Sequence, residues 1–132
     1  MSTHAHGHRA AELIAQLGLQ PHPEGGAYVE VHRSVRAVQP DDGRPARAAL
    51  TSIYFLLTQG GASRWHQVAS DEVWCHLEGA PLLLYQLDEN SQRLERIRLG
   101  PVAAEQRPQH TVPAGQWQAA TCEGEYSLVA CM

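Results

Sequence analysis

From Leu50 onward the sequence never sustains one conformation for long, and this limits the fold more than any other feature. Short alternating or wholly apolar runs follow one another: Leu50–Leu57, Ser63–Val68, Glu72–Leu77, Pro81–Leu87, Leu94–Leu99, His110–Val112, Gln116–Thr121 and Tyr126–Cys131. Gly, Pro, Asn or Asp separates most of them. Many short strands at close spacing predict an all-β sandwich or barrel. One short helix precedes them. Arg9–Leu17 puts Leu13, Ile14 and Leu17 on one helical face. Gly18 stands where a left-handed cap would close the helix, and Pro21 follows as a stop. The rigid turn Pro21-His22-Pro23-Glu24-Gly25-Gly26 leads into Ala27–Arg33. That strand alternates, with Tyr28, Glu30 and His32 on one face and Val29 and Val31 on the other. Residues 35–48 are polar, turn at Pro40-Asp41-Asp42-Gly43, and predict a mobile loop. Residues 1–8, with His4, His6 and His8, read as a disordered tail outside any site. A single domain then occupies 9–132, since 132 residues leave no room for a second core.

Composition removes several function classes. No apolar run approaches the roughly 20 residues that span a bilayer, and the N-terminus lacks the layout of a signal peptide. A cytoplasmic protein is the expectation. The net charge is −4, and the Arg residues are scattered among acids, which argues against nucleic acid and anionic membrane as partners. Cys75, Cys122 and Cys131 form no CxxC pair and read as small buried apolar groups. Every one of the 10 Lys+Arg residues is Arg. Schiff-base chemistry, lysine-anchored pyridoxal phosphate and a Walker A loop all need a lysine and are excluded.

The informative stretch runs from Gly60 to Gly79. Gly60, His66, Glu72 and Gly79 fall in the register of the first cupin signature: Gly, five residues, His-x-His, three or four residues, Glu, six residues, Gly. Val68 stands at the second His. Pro113-Ala114-Gly115-Gln116-Trp117-Gln118 follows the second signature, Pro-x-Gly-x-x-His, with Gln118 in place of the His and Cys122 in place of the later Asn. Together with HPEGGAYVE, TSIYFLL, WHQVASDEVW and RPQHTVPAGQW in this order, the chain from about Ala11 onward resembles the small single-domain cupins known as predicted sugar epimerases. The resemblance implies a cupin double-stranded β-helix, a jelly-roll barrel, with a small-molecule ligand inside and a homodimer as the assembly.

Cupin metals are usually held by three His and one Glu, and two of these four remain, His66 and Glu72. Val68 cannot ligate, and Gln118 offers only a neutral amide oxygen. His76 shares a strand face with Glu72 but lies about 13 Å along it at ~3.3 Å per residue, too far to grip the same ion. The expected site therefore has no metal or other cofactor, and any ion would be left to His66 and Glu72. Without metal the same residues form an acid/base pair. Histidine is the natural proton carrier at neutral pH, so His66 is the candidate base, with Glu72 as its orienter or partner acid. The segment is also similar to the nucleotide-sugar 3,5-epimerases, in His66-Gln67 and in Gly25-Gly26-Ala27-Tyr28-Val29-Glu30. That likeness implies proton abstraction beside a sugar carbonyl with a Tyr acid, either Tyr28 or Tyr54. Trp74 is a candidate stacking wall, His76 a further ligand contact, and Gln118 either a ligand contact or a hydrogen-bond partner of His66. The reading is a metal-independent epimerase or isomerase of a carbohydrate-like carbonyl compound. The alternatives are a non-catalytic binding cupin and a metal-dependent oxygenase or isomerase with a reduced ligand set.

Overall fold

The computed structural model describes residues 3–132, with side chains from His8 onward. The side chains of His4 and His6 lie outside the described residues. Helix α1 spans Thr3–Leu17 and reaches into the stretch read as a tail. The sequence pattern shows the part of this helix that docks through Leu13 and Leu17, where the apolar periodicity lies. Gly18 ends it at φ +70, and the Leu19 N–H returns to the Ile14 carbonyl at 3.0 Å, the six-to-one bond of a Schellman cap. No helix among the described residues is long and apolar enough to cross a membrane.

Twelve strands follow: β1 Gln20–Pro21, β2 Ala27–Arg33, β3 Ala37–Val38, β4 Arg47–Ala48, β5 Thr51–Thr58, β6 Ala62–Gln67, β7 Glu72–Gly79, β8 Leu82–Asp88, β9 Arg93–Leu99, β10 Gln109–Val112, β11 Trp117–Cys122 and β12 Tyr126–Cys131. They form a six-stranded sheet in the order β1-β2-β5-β12-β7-β10 and a four-stranded sheet in the order β6-β11-β8-β9. All named strand pairs are antiparallel. This is the all-β architecture expected from the strand spacing, in the jelly-roll form that the cupin resemblance implied. The stretch 35–48 departs from the mobile-loop reading. β3 and β4 pair Ala37 with Ala48 and Val38 with Arg47. Arg44 then bonds Asp42 at 2.8 Å and the Ser70 hydroxyl at 3.1 Å, which ties the hairpin to the β6–β7 turn. Polar residues gave no apolar signal there, because backbone pairing and side-chain bonds hold the segment instead of burial.

Two apolar clusters divide the molecule. Phe55, Leu57, Trp74, Leu82, Leu84 and Leu99 are buried between the sheets. Ala10, Leu13, Leu19, Leu56 and Leu128 join α1 to the outer face of the six-stranded sheet. Fully burying one Leu contributes about 1.5–3 kcal/mol, so each cluster needs only a few such side chains to hold its layer. Strand alternation sends neighbours to opposite clusters: Phe55 and Leu57 point inward, Tyr54 and Leu56 toward α1.

Candidate functional site

At one end of the barrel the interior opens into a chamber of about 260 Å³. Its lining includes His22, Glu24, His66, Val68, Glu72 and Trp74. Both cupin-like motifs feed it. Gln118 of β11 lies directly opposite His66 of β6 in the four-stranded sheet. Glu72 begins β7 in the other sheet. The Pro113–Gln116 turn is pinned to the β6–β7 connection by two bonds. The Gly115 N–H donates to Val68 O at 2.8 Å, and the Ala114 N–H donates to the Asp71 carboxylate at 2.8 Å. Gly115, at φ +84, makes that turn possible.

One amide joins the polar groups. Gln118 Nε2 donates to Glu72 Oε1 at 2.5 Å and to His66 Nε2 at 3.1 Å. His66 Nδ1 lies 2.7 Å from the Arg64 carbonyl, so the neutral ring carries its hydrogen on Nδ1 and offers Nε2 as acceptor. Glu72 therefore does not orient His66 directly, as the sequence reading expected; the Arg64 carbonyl and Gln118 do. Gln118 is 1% exposed, and its Oε1 has no partner. Trp74 is 2% exposed and forms part of the chamber wall, with its indole nitrogen also unpaired. Phe55 meets Trp74 edge-on at 6.0 Å. Cys131 lines the chamber too, and burial first, then the Glu72 charge, raise its thiol pKa and keep it protonated.

The other candidates separate. Tyr28 packs against the inner cluster and meets His22 edge-on at 4.8 Å, so it supports a neighbour and is not among the groups lining the chamber. Tyr54 is not brought in. It lies on the opposite face of β5, packed against the α1 cluster, because strand alternation turns it away from the face that carries Phe55 and Leu57. His76 is likewise not at the chamber. Its Nε2 bonds the Ala80 carbonyl at 3.0 Å, beside the β7–β8 turn.

His22 and Glu24 are the residues that sequence reasoning passed over as a rigid turn. The available signal was the Gly25-Gly26 pair. Gly26 has φ +77, and a Cβ there would stand 2.8 Å from Leu56 O and 2.9 Å from Phe55 Cε1. A Cβ at Gly25 would land on the Ala62 carbonyl. Two glycines thus press the turn onto β5 and β6, and this brings His22 to the chamber. Burial first, then the charge of His66, lower the His22 pKa.

A metal does not fit the residues present. Val68 has no donor, and Gln118 turns its NH2 toward His66 and Glu72. Among the described residues, no group of three or more His, Cys, Asp or Glu is placed to hold an ion.

Two facing antiparallel sheets with a largely apolar chamber at one end define a cupin-type small-molecule barrel. The chain belongs to the Cupin superfamily (DUF985), whose family model matches residues 11–132. It is similar to the hypothetical protein from Leishmania major, at 36% identity over 92% of this chain and 78% of that one, with a TM-score of 0.84. It is similar also to protein SO0799 from Shewanella oneidensis, at 35% identity over 92% of this chain and 75% of that one, with a TM-score of 0.83. The structure of KdgF from Halomonas sp. shares the fold at 14% identity, over 86% of this chain and 81% of that one, with a TM-score of 0.57. A comparison with curated proteins found no match.

Proposed function

We propose that this cupin binds a small, neutral carbonyl compound of carbohydrate type and moves a proton at the carbon beside the carbonyl, as an epimerase or isomerase needing no metal. The observation that carries this reading is Glu72: a carboxylate in a largely apolar chamber, held by the Gln118 amide and accompanied by two imidazoles. A carboxylate that is half-buried against apolar walls is costly unless it is paired or used, and only one of its oxygens is bonded to Gln118. The ligand's charge follows from the walls. Glu24 and Glu72 line the chamber and no Arg does, among the described residues. Within that lining an anionic ligand would meet two carboxylates and no Arg to balance them. Proton abstraction at such a carbon gives an enolate, the shared intermediate of epimerisation and isomerisation.

The test is solvent exchange. Untagged protein is incubated in D2O with a panel of neutral aldoses and ketoses, and loss of the α-proton signal is followed by NMR. Exchange is expected with at least one compound, and Glu72→Gln should slow it about 100-fold or more, within the range assigned to general acid–base groups. Exchange that survives Glu72→Gln unchanged, or none across the panel, ends the proposal.

A second reading, a binding cupin without turnover, is favoured by one specific observation. Both nitrogens of His66 are satisfied inside the protein. Stoichiometric binding of a panel member without deuterium uptake would select it.

A further inference from the structure

We infer that His22, rather than His66, is the imidazole that meets the ligand, donating its Nε2–H to a carbonyl oxygen in the chamber; the ligand class and the catalytic role rest on the reading above, the contact itself does not. The cupin-like motif points to His66, but that ring has no nitrogen to give. Its Nδ1 is committed to the Arg64 carbonyl and its Nε2 to the Gln118 amide. His22 is arranged the other way. The Glu24 N–H donates to His22 Nδ1 at 3.0 Å, so the neutral ring carries its hydrogen on Nε2. Among the described residues, only Nδ1 of this ring has a hydrogen-bond partner, and Nε2 has none.

The ring is held in place before any ligand arrives. Tyr28 meets it edge-on at 4.8 Å and Phe55 at 5.4 Å. The turn that carries it is closed by His22 N–H to Gly26 O at 2.9 Å and Gly25 N–H to His22 O at 3.0 Å. It is docked on β6 by the Arg64 N–H to Glu24 O at 2.8 Å and by the Arg64 guanidinium on Pro23 O. A donor held this firmly loses little freedom when a ligand binds and stabilises charge that develops on the ligand's oxygen. Burial and the neighbouring His66 both favour its neutral form, the form with a single donor.

In the reaction proposed above, the α-proton passes to Glu72. The C–H electron pair becomes the carbon–carbon π bond, and the carbonyl π pair moves onto oxygen. His22 Nε2–H bonds that oxygen without giving up its proton. Return of a proton to carbon reverses the electron movement, so no oxidant or reductant is required. His22 is thereby a catalytic residue, and Tyr28 and Phe55 are its positioning residues.

The experiment uses 15N-labelled protein and dihydroxyacetone, a neutral ketone, as the probe. Without probe, His22 should show the Nε2–H tautomer and His66 the Nδ1–H tautomer; an Nδ1–H tautomer at His22 overturns the inference whatever the ligand. With probe, the His22 Nε2 resonance should move while that of His66 stays. Movement at His66 alone overturns the inference and leaves the proposed reaction standing. A response at His22 without α-proton exchange supports the contact and removes the reaction. No response at either ring overturns the contact. His22→Phe keeps an aromatic ring and lacks the donor, and should lower exchange at least tenfold, whereas His22→Gln keeps an N–H and should retain more. His22→Phe exchanging at the wild-type rate would overturn the catalytic role.

Discussion

Gln118 holds two groups with one amide and leaves its own oxygen unpaired. The arrangement cannot simply be reversed. Turning Oε1 toward Glu72 would set two acceptors against each other, so the chamber's polar groups keep the NH2 between them. A buried donor or acceptor without a partner costs about 1–3 kcal/mol, a cost accepted here at the acceptor Gln118 Oε1 and the donor Trp74 Nε1–H. Gly26 is the other residue on which the site depends. Its φ of +77 and its close approach to Leu56 O, Leu57 Cδ2 and Phe55 Cε1 leave no room for a side chain. Gly26→Ala should destabilise the fold by about 1–3 kcal/mol, read as a lower urea midpoint at unchanged slope. Because Phe55 clamps His22, the same variant should shift the His22 ring resonances; a variant as stable as wild type would refute the packing argument. Position alone made His66, Glu72 and Gln118 visible in the sequence. The bond from Gln118 to His66 was one of the two readings open for Gln118, but the bond from His66 to the Arg64 carbonyl was not visible, since a main-chain acceptor leaves no mark in the side-chain pattern.

Among the elements, α1 is held to the six-stranded sheet by its apolar cluster and, among the described residues, by an ion pair to β7. Arg9 grips Glu78 of β7 with two bonds of 2.7 and 2.8 Å, and the Tyr126 hydroxyl donates to the same carboxylate at 2.8 Å. The Arg9 hydrogen bonds, chiefly, hold the Glu78 pKa down to about 2, from an ordinary 4.5. A carboxyl whose folded pKa is depressed contributes stability that is complete above its unfolded value and is lost as pH falls through the folded one. Docking of α1 should therefore weaken between pH 4.5 and about 2. Amide-exchange protection in α1 should decline across that window in wild type. Glu78→Gln should lack the pair at every pH and show a flatter acid response. Protection unchanged down to pH 2 in wild type would sink the claim. The side chains of Arg9 and Glu78 remain 38% and 34% exposed, so solvent screening keeps the effect modest. The pair joins residues 69 apart, which no local pattern could announce.

At the scale of the whole molecule, two half-buried histidines respond to a different range of pH. His110 accepts from the Arg107 guanidinium on Nδ1 at 2.9 Å and bonds the Gln86 carbonyl through Nε2 at 2.7 Å. Burial first, then the Arg107 charge, lower its pKa; burial and His66 do the same at His22. A histidine kept neutral by the fold binds its proton more readily in the unfolded chain. Stability from both is complete above the unfolded value of 6.5 and falls as pH drops below it, levelling off once the folded rings are protonated. The urea midpoint of wild type should fall between pH 7.5 and 5.5, before the Glu78 window begins. His110→Gln should reduce that fall. A midpoint that rises as pH is lowered over this interval would contradict the assignment.

The strand spacing determined the fold class, because short alternating runs broken by Gly, Pro and Asn cannot bury their apolar faces except by closing two sheets on each other. Periodicity likewise gave the docked face of α1 and its Gly18 cap, and two motifs named the strands that reach the chamber. Only the tertiary structure decided which side chains meet there. Alternation turned Tyr54 away, a neighbouring turn claimed His76, and a glycine pair carried His22 inward from a segment that reads as a plain bend. A local pattern records what a residue can bury. Hydrogen-bond commitment depends on partners that the chain brings together from far apart, and in this barrel those partners decide which imidazole is free.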